Sequence, residues 1–399
     1  MTTTSVGGPS GDRDPRAPGT GRSGHSSRIG DTTLHYVGWP DAPCDDRPRR
    51  VGAPSPAGKG IAVREETPRQ ATIFDVARLA GVSHQTVSRV LNDLPNVRPS
   101  TRVRVEEAIK KLRYVPSPAA RALVTRRSRT IGLIATGTPE FGPASTQLYF
   151  NAAARKASWS VFTASLIDTE PSAIRAVVEA FLRQNVEGIA VITSRQGVVD
   201  VVAGMELAIP VVALEATART GITTVGANQY SGARTAVAYL AGLGHRNIAH
   251  LAGPSDSIDA KERERGWRDE LASRGLQARR IGIGDWSPSA GYTFGMACDL
   301  EGLTAIFASN DQMAVGLMHA LSDRGRSVPR DVSIVGFDDV PEAEHLSPPL
   351  TTVRQDFEHI GRDMLSVLLS RINGDGSPLP ASVPALIERA STRRLDAEG

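Results

Sequence analysis

Apolar residues recur at helical spacing in two short stretches that follow one another between residues 72 and 92. The first stretch places these residues on one helix face, behind Thr72 as a helix N-cap: Ile73, Val76, Ala77 and Ala80. The second places these on one face, with Ser83 as the cap: Val82, Val87, Val90 and Leu91. Gly81 lies between them and takes a positive φ at little cost. The pattern therefore predicts two short helices joined by a glycine turn, a helix-turn-helix.

A third helix is predicted downstream, beginning near Pro99, because proline suits the first position of a helix. Its apolar residues form one stripe: Val105, Ala108, Ile109 and Leu112. Packing of this stripe on the first two helices would complete a small core. The remaining surface of the helix is mainly basic, a pattern that usually marks a solvated face.

From Thr130 onwards, short apolar runs of strand type alternate with helical patterns. The strand candidates are residues 130–135, 159–166, 188–192, 210–214, 248–251, 305–308 and 332–337. The helix candidates are residues 172–185, 229–243, 261–273, 289–301, 312–324 and 357–372. This alternation predicts an α/β fold with parallel sheets covered by helices. Since about 265 residues are too many for one such sheet, we expect two lobes with a ligand cleft between them.

Composition adds bounds to this picture. The chain has 399 residues, enough for two or three domains, and its net charge of +3 neither requires nor excludes nucleic acid. The two cysteines, Cys44 and Cys298, form neither a disulfide framework nor a metal-ligand cluster. The sequence contains no apolar run of membrane-spanning length and no signal peptide pattern. These features predict a cytoplasmic, nucleoid-associated protein without a membrane partner.

Residues 1–70 differ from the rest, since they are rich in glycine, proline, serine, arginine and aspartate and lack apolar periodicity. Such a composition cannot bury enough apolar surface to offset the entropy of ordering, so we expect a disordered tail. Three interpretations stay open. The tail is solvated and has no role, its arginines contact DNA phosphates nonspecifically, or translation starts downstream and the tail is not made.

In a helix-turn-helix, the second helix lies in the DNA major groove and its first residues meet base edges. Here those residues are His84, Gln85 and Arg89. Glutamine pairs bidentately with adenine and arginine with guanine, whereas Thr86 and Ser88 are placed to contact phosphates. The alternative interpretation is a helical hairpin without a DNA-binding role.

An alanine-rich segment with a basic end, Pro116–Arg129, follows the third helix. Together, Thr72–Leu123 resembles the headpiece and hinge helix of the lactose-repressor family of bacterial transcription regulators. The resemblance implies a headpiece at residues 71–116 and a hinge helix and linker at residues 117–129. It also implies that two hinge helices pair in the DNA minor groove, where Leu123 wedges between base pairs beside Ala120. Thr72, Ser83 and Asn92 complete the expected DNA-binding residues; the alternative for Leu123 is an ordinary linker residue.

The resemblance continues through residues 130–394. Five motifs recur in the family at these relative places: Leu243–His245, Ala252–Pro254, Ala308–Ala314, Val335–Asp339 and Pro348–Val353. Two more are typical of the lactose-repressor subgroup: Gly284–Ser287 and Gln355–Phe357. The implied fold is a two-lobed core of the periplasmic-binding-protein type that binds effector and dimerises. The chain is expected to cross between the lobes near Gly244, Gln355 and Pro384, and residues 395–399 form a short tail.

The resemblance also implies a set of effector-binding residues. Arg263 would grip sugar hydroxyls, and Asn310 and Asp338 would hydrogen-bond the sugar ring. Trp286 would stack on an apolar sugar face, Gln355 would stand at the lobe crossover, and Phe141 would supply an apolar wall. Specific polar groups around an aromatic wall are what a ligand cleft needs.

Bland alternatives exist for several of these residues. Trp286 fits a core aromatic, and Asp338–Asp339 fits a solvated turn. Arg263 stands in a charge run that by itself suggests a solvent-facing surface. Asn310 and Asp311 are both good helix caps, and we expect Asp311 to cap while Asn310 contacts ligand.

These observations predict a sequence-specific DNA-binding transcriptional repressor that is switched by a small carbohydrate such as a β-galactoside. A homodimer is expected, because the chain lacks the leucine-rich extension that makes the lactose repressor a tetramer. A two-fold dimer in turn needs two-fold DNA, so a pseudo-palindromic operator is expected. One alternative is a periplasmic sugar-binding protein, which would need a secretion signal and no headpiece. A second is an α/β enzyme, but the sequence has no phosphate loop, nucleophile elbow or His/Cys cluster. His245 and His250 are interpreted as helix-end or core histidines, and neither a cofactor nor a metal is expected.

Overall fold

The computed structural model describes residues 71–115, 127–136, 140–215, 217, 219–278, 281–376 and 379–395. The predicted tail at residues 1–70, the last four residues, and most of the predicted hinge lie outside the described residues. Ala120 and Leu123 are therefore among the residues on which the structure gives no information.

Three helices form the headpiece: α1 Ile73–Ala80, α2 His84–Leu91 and α3 Pro99–Leu112. The backbone N–H of Asp75 donates to Oγ1 of Thr72 at 3.4 Å, and that of Thr72 donates back to Oδ2 of Asp75 at 2.9 Å. This reciprocal capping box starts α1, and Gly81 ends it with a φ of +63°. At the start of α2, the N–H of Thr86 donates to Oγ of Ser83 at 3.2 Å.

The predicted apolar faces of the three helices meet in one small core. Its buried members are Val76, Ala77, Ala80, Val87, Val90, Val105 and Ala108. Helix α3 begins at Pro99 without a side-chain cap, since Arg98 precedes it. Local caps therefore fix the ends of the first two headpiece helices, and a small apolar core holds the three helices together.

A five-stranded parallel sheet forms the first lobe, in the order β2-β1-β3-β4-β5. Its strands are β1 Thr130–Thr136, β2 Ser160–Leu166, β3 Gly188–Ile192, β4 Val211–Leu214 and β5 Thr223–Val225. Helices α5 Pro171–Arg183 and α6 Gln196–Ala203 cover one face, and α4 Phe141–Lys156 and α11 Phe357–Ile372 cover the other. Every residue of β3 is buried, as expected of a parallel strand covered on both sides.

A four-stranded parallel sheet forms the second lobe, in the order β7-β6-β8-β9. Its strands are β6 Ile248–Ala252, β7 Ile281–Ile283, β8 Ala305–Ala308 and β9 Ser333–Val335. Its helices are α7 Gln229–Gly242, α8 Ile258–Ser273, α9 Pro288–Ala297 and α10 Asp311–Asp323, with a 3₁₀ turn at Pro341–His345. The antiparallel pair β10 Thr352–Arg354 and β11 Ala385–Ile387 packs on the same lobe.

The chain crosses between the lobes three times, and one predicted crossing is wrong. The first crossing occurs between β5 and α7, where the N–H of Asn228 donates to the carbonyl of Ser382 at 2.8 Å. Gly244, where it was predicted, instead follows α7 inside the second lobe with a φ of +96°. The family motif around Gly244 marks a helix end, and this is why it misled the prediction. The other two crossings lie near Gln355 and just before β11, as expected.

Among the described helices, none is long and apolar enough to cross a membrane.

Candidate functional site

A cavity that is partly open to solvent, with about 550 Å³ of empty space, lies between the two lobes, at the carboxyl ends of the strands of both sheets. All six of the effector-binding residues predicted from the sequence line it: Phe141, Arg263, Trp286, Asn310, Asp338 and Gln355. The carboxyl edge of the sheets is where α/β folds bind ligands. The structure thus brings together residues that are up to 214 positions apart in the chain, from 141 to 355.

Four buried polar side chains along the cavity form a closed ring of contacts. Nε of Arg263 donates to Oε1 of Gln229 at 2.9 Å, and Nε2 of Gln229 donates to Oε1 of Gln355 at 2.9 Å. Nε2 of Gln355 then donates to Oδ1 of Asp338 at 2.7 Å, and Nη2 of Arg263 lies 3.5 Å from the same oxygen. Because each member fixes the next, the ring holds the polar wall of the cavity in one geometry.

Arg263 is held from several directions and is only 4% exposed. Its guanidinium lies over the ring of Phe337, 3.9 Å from the centroid, and 5.4 Å from that of Trp286. Nη1 donates to the carbonyl of Ser309. The alternative that Arg263 is part of a solvated charge run is therefore wrong, although its neighbour Arg265 does face solvent.

Asp338 is buried at the end of β9, so the alternative of a solvated turn is also wrong. Burial raises the pKa of its carboxyl to about 6, and the positive charge of Arg263 opposes that rise. The next residue, Asp339, is 2.6 Å from Nε of Arg354 and 2.7 Å from Nη2 of Arg389. The two successive carboxylates thus differ in role: Asp338 lines the cavity, and Asp339 forms ion pairs with two arginines from other segments.

The expected roles of Asn310 and Asp311 need a correction. Asn310 is the N-cap of α10, where its Oδ1 accepts from the N–H of Met313 at 2.9 Å. Asp311 does not cap the helix, because its carboxylate accepts from the N–H of Val340 at 2.9 Å and from the hydroxyl of Thr352 at 2.6 Å. Burial and then the nearby charge of Asp338 raise its pKa to about 8.

Trp286 is at once a core aromatic and a cavity wall, so the two interpretations are compatible. It is 9% exposed and packs with the core of the second lobe. A side chain at Gly253 would collide with the indole ring, and Asn310 donates from Nδ2 to the Trp286 carbonyl at 3.0 Å. Among the described residues, none accepts a hydrogen bond from the buried indole N–H.

Several lining residues were not predicted as site residues, notably Gln229, Glu215, Asp259 and Phe357. Phe357 packs edge-on against Phe141 with 5.6 Å between ring centroids, and together they form an apolar wall. Each missed residue lies at a strand end or in the first turn of a helix. A position just after a strand or at the start of the following helix is the sequence feature that could have indicated them. The family resemblance alone singles out only the six predicted residues.

On the headpiece, His84, Gln85 and Arg89 lie on the exposed side of α2. In the described part of the chain, no hydrogen-bond partner holds the side chains of Gln85 and Arg89. Ser83 caps the helix, and Nδ2 of Asn92 donates to the carbonyl of Ser88 at 2.8 Å. The exposed side chains are therefore available to an external partner, whereas the caps fix the helix that presents them.

His245 and His250 do not line the cavity and are structural. His250 is fully buried between the rings of Trp267 and Phe307, and burial lowers its pKa to about 3. His245 is also buried and contacts Oγ1 of Thr304 at 3.0 Å. No cluster of three metal-ligating side chains occurs within the described ranges.

Comparison with known proteins identifies the family. Residues 72–117 match the model of bacterial regulatory proteins of the lacI family, and residues 237–392 match the periplasmic binding protein-like domain. The lactose operon repressor of Escherichia coli strain K12 is 34% identical over 327 residues, 80% of this chain and 90% of that protein. The regulator CelR of Thermobifida fusca is also 34% identical, over 78% of this chain and 94% of its own length.

Solved structures agree with this assignment. The crystal structure of the lac repressor dimer bound to operator and the anti-inducer ONPF has a TM-score of 0.75 at 33% identity. The match covers 82% of this chain and all of the lac repressor chain. A CelR–cellobiose complex has a TM-score of 0.58 at 29% identity, over 80% of this chain and 99% of the CelR chain.

The fold and the site thus define a DNA-binding transcriptional regulator that responds to a small-molecule effector. The chain belongs to the lacI family of bacterial regulatory proteins. The predicted fold class, a helix-turn-helix headpiece with a two-lobed periplasmic-binding-protein-like core, is confirmed. The lactose operon repressor and CelR, with which this chain shares 34% identity, are named as a repressor and a transcriptional regulator.

Proposed function

We propose that this chain represses transcription from a pseudo-palindromic operator and that a small carbohydrate in the interlobe cavity switches its DNA binding. The observation that carries the proposal is the convergence of all six predicted effector residues on one cavity. A β-galactoside is the first candidate and a β-glucoside such as cellobiose the second. Both choices rest on what the lac repressor and CelR structures hold.

The chemistry of the cavity supports a sugar. A sugar ring has hydroxyl edges that need both donors and acceptors, and C–H faces that pack on aromatic rings. The ring of Arg263, Gln229, Gln355 and Asp338 offers both kinds of polar group. Trp286 supplies the aromatic wall.

On the DNA side, His84, Gln85 and Arg89 would read base edges in the major groove, and Thr86 and Ser88 would contact phosphates. This role is supported by the exposure of His84, Gln85 and Arg89 on a capped helix. Thr72, Ser83 and Asn92 would complete the contact surface close to the backbone. Leu123 and Ala120 of the hinge would enter the minor groove.

A homodimer would present two headpieces to a two-fold operator. Each sheet of the core has an edge strand that carries exposed apolar side chains. On β2, Phe162 is 49% exposed, and on β7, Ile283 is 69% exposed. Exposed apolar residues on unpaired edges are a recurrent feature of surfaces that a second copy covers.

The switch would act through the lobe angle, because three crossings connect the lobes around the cavity. A ligand that binds one lobe arrangement better shifts the population toward it, typically with a coupling of about 1–3 kcal/mol. If the favoured arrangement separates the two hinges, the sugar induces transcription; if it pairs them, the sugar is a corepressor.

The protein would act in the cytoplasm and leave its ligand chemically unchanged, so incubation with sugars should give no turnover product.

Selection from random duplexes by the purified full-length protein, with and without a sugar panel, tests this proposal. We expect an enriched palindrome with a flexible central pyrimidine–purine step, released by one neutral sugar. A palindrome strengthened by a sugar would keep the regulator and reverse the direction of the switch. If no sequence is enriched at low salt with any ligand, the repressor proposal is wrong.

Leu123→Ala tests the hinge separately. It should weaken specific operator binding strongly and leave sugar binding intact, because the wedge contacts only DNA. Operator affinity equal to that of the wild type would contradict the wedge.

A further inference from the structure

Asp259 lines the cavity from the first turn of α8, one helical turn before Arg263. Within the described part of the chain, no donor hydrogen-bonds its carboxylate, and no cation lies within ion-pair distance of it. Two other carboxylates of the cavity are paired. Glu215 lies 2.7 Å from Nε of Arg219, and Asp338 accepts from Gln355 at 2.7 Å.

Trp286, another lining residue of the cavity, carries a second unsatisfied group. Trp286 is nine-tenths buried, and its indole N–H has no acceptor among the described residues. Leaving a buried donor without a partner costs free energy, and so does an unpaired carboxylate at the cavity wall. A ligand that donates a hydrogen bond into the cavity would satisfy the carboxylate of Asp259.

The charge of the cavity wall narrows the ligand class further. Among the lining residues that the structure describes, four carry carboxylates, Glu140, Glu215, Asp259 and Asp338, and Arg263 is the one cation. Burial raises the pKa of Asp259 to about 6, the nearby charge of Arg263 opposes the rise, and Glu215 and Glu140 add to it. An added negative charge at this wall would be repelled through a poorly screened medium.

We propose that Asp259 determines effector specificity, because its carboxylate accepts hydrogen bonds from a donor group of the sugar. The cavity then selects neutral or amino sugars and rejects sugars that carry phosphate or carboxylate. The donor is either a pair of hydroxyls or an ammonium group, and the arms of the test separate the two. The inference rests on the proposed function, since it names the ligand class of the same cavity.

Titration calorimetry on the full-length protein tests this assignment with matched sugars. The panel comprises galactose, lactose and cellobiose as neutral sugars, galactosamine as an ammonium sugar, and galactose 6-phosphate and galacturonate as anions. The wild type should bind a neutral or an ammonium sugar and show no measurable heat with either anion. Galactosamine binding more tightly than galactose would identify the donor as an ammonium group; the reverse order would identify hydroxyls.

The variant Asp259→Asn keeps the shape of the side chain and removes its charge. It should weaken the preferred sugar by at least about tenfold, the usual scale of a charge-assisted hydrogen bond. It should also narrow the gap between neutral and anionic sugars. Glu264→Gln is the matched control, because Glu264 pairs with Arg268 on the outer side of the same helix.

Asp259→Ser provides a second variant if the asparagine fails to fold, and thermal unfolding checks both. Wild-type binding of a neutral sugar with the same ligand ranking in both Asp259 variants would overturn the role of Asp259 and leave the proposed function in place. Wild-type preference for a phosphorylated sugar would overturn the charge selection. Absence of binding by every sugar would overturn the carbohydrate effector itself, and this inference with it.

Discussion

The headpiece and the cleft present functional side chains in opposite ways. In the headpiece, the candidate DNA-reading residues come from one continuous stretch and point outward from a helix held by caps. In the cleft, the candidate effector residues come from six separate segments and point inward. Gln85 has no partner within the described residues, whereas Arg263 contacts Gln229, Ser309 and Asp338.

This difference teaches how the two tasks constrain the chain. A base-reading side chain exchanges water for a base edge, so it can stay solvated until DNA arrives. Most groups of a buried polar wall must be satisfied before the ligand arrives, since each unpaired buried group costs stability, and Asp259 is an exception in this cavity. We therefore expect substitutions on α2 to change function alone and substitutions in the cleft to change function and stability together.

Arg263→Ala should have the largest effect. Removing the guanidinium leaves Asp338 buried without its cation and opens the ring of side chains around the cavity. Truncating one partner of a buried charge pair costs about 2–5 kcal/mol, which corresponds to roughly thirtyfold to several thousandfold in affinity. Calorimetry with the preferred sugar should detect no binding, and the melting temperature should fall.

Arg265→Ala is the control for this experiment, because it removes the same charge two residues away on the exposed side of α8. It should leave effector affinity within about twofold of the wild type, as an exposed ion pair contributes little. If both variants lose effector binding equally, the net charge of α8 would matter rather than the cavity contacts of Arg263.

Gln85→Ala tests the other side of the comparison. It should lower discrimination at one base-pair position of each half-site by about tenfold to a hundredfold, the usual range for a lost bidentate contact. The melting temperature should not change, because the side chain is exposed. Competition binding against single-base variants of the selected operator measures the effect.

Lys111→Ala on α3 is the comparison variant, since it removes an exposed cation of the headpiece without touching α2. It should change affinity for all duplexes alike and preserve the sequence preference. A loss of base preference in Lys111→Ala, with none in Gln85→Ala, would move the reading surface to α3.

The same contrast explains how far the sequence could be interpreted. The headpiece was predicted from local signals alone, because Thr72, Gly81 and Ser83 act within one helical turn of their positions. In the core, the long buried strands and most helices were also predicted. The missed strands β5, β7, β10 and β11 have three residues each, too few for a periodic pattern. Helices α4 and α6 were also missed, and in α4 the exposed face carries Leu148, which blurs its apolar stripe.

The cleft was less accessible to pattern analysis. Arg263 and Arg265 are chemically the same residue in one charge run, and only long-range packing makes one buried and the other exposed. Asn310 and Asp311 are both good caps, so the backbone at the end of β8 decides which one caps. The family resemblance supplied the six effector residues, but it could not supply Gln229 and Asp259, whose roles depend on this chain's own contacts.

Effector binding should weaken in acid, by about tenfold at pH 5 for each carboxyl that must ionise. Burial raises the pKa of both Asp259 and Asp338 to about 6, so both are mostly protonated at pH 5 in the free protein. A ligand that donates to them favours the ionised forms, so binding releases protons and affinity rises with pH until it levels above 7. The charged groups that influence Asp259 are Arg263, Glu215, Glu140 and Glu262.

Calorimetry in buffers of different ionisation heats measures the protons released at pH 6. Sugar binding to Asp259→Asn should release fewer protons than binding to the wild type. The difference is the number of protons that Asp259 releases. Affinity that is constant from pH 5 to 7.5 would show that neither carboxyl must ionise for the sugar to bind.

The smallest expected effect is that of substituting Asn310, which has two structural roles. Its Oδ1 caps α10, and its Nδ2 donates to the carbonyl of Trp286. Asn310→Ala removes both and should cost about 1 kcal/mol of stability through the lost cap. Asn310→Ser keeps an oxygen that caps equally well but loses the amide donor. The serine variant should therefore melt close to the wild type and still bind sugar several-fold more weakly, because the Trp286 wall is less well held. If Asn310→Ser instead binds the sugar as tightly as the wild type does, helix capping is the only role of Asn310. The polar groups that matter for sugar binding would then be those of the ring around Arg263.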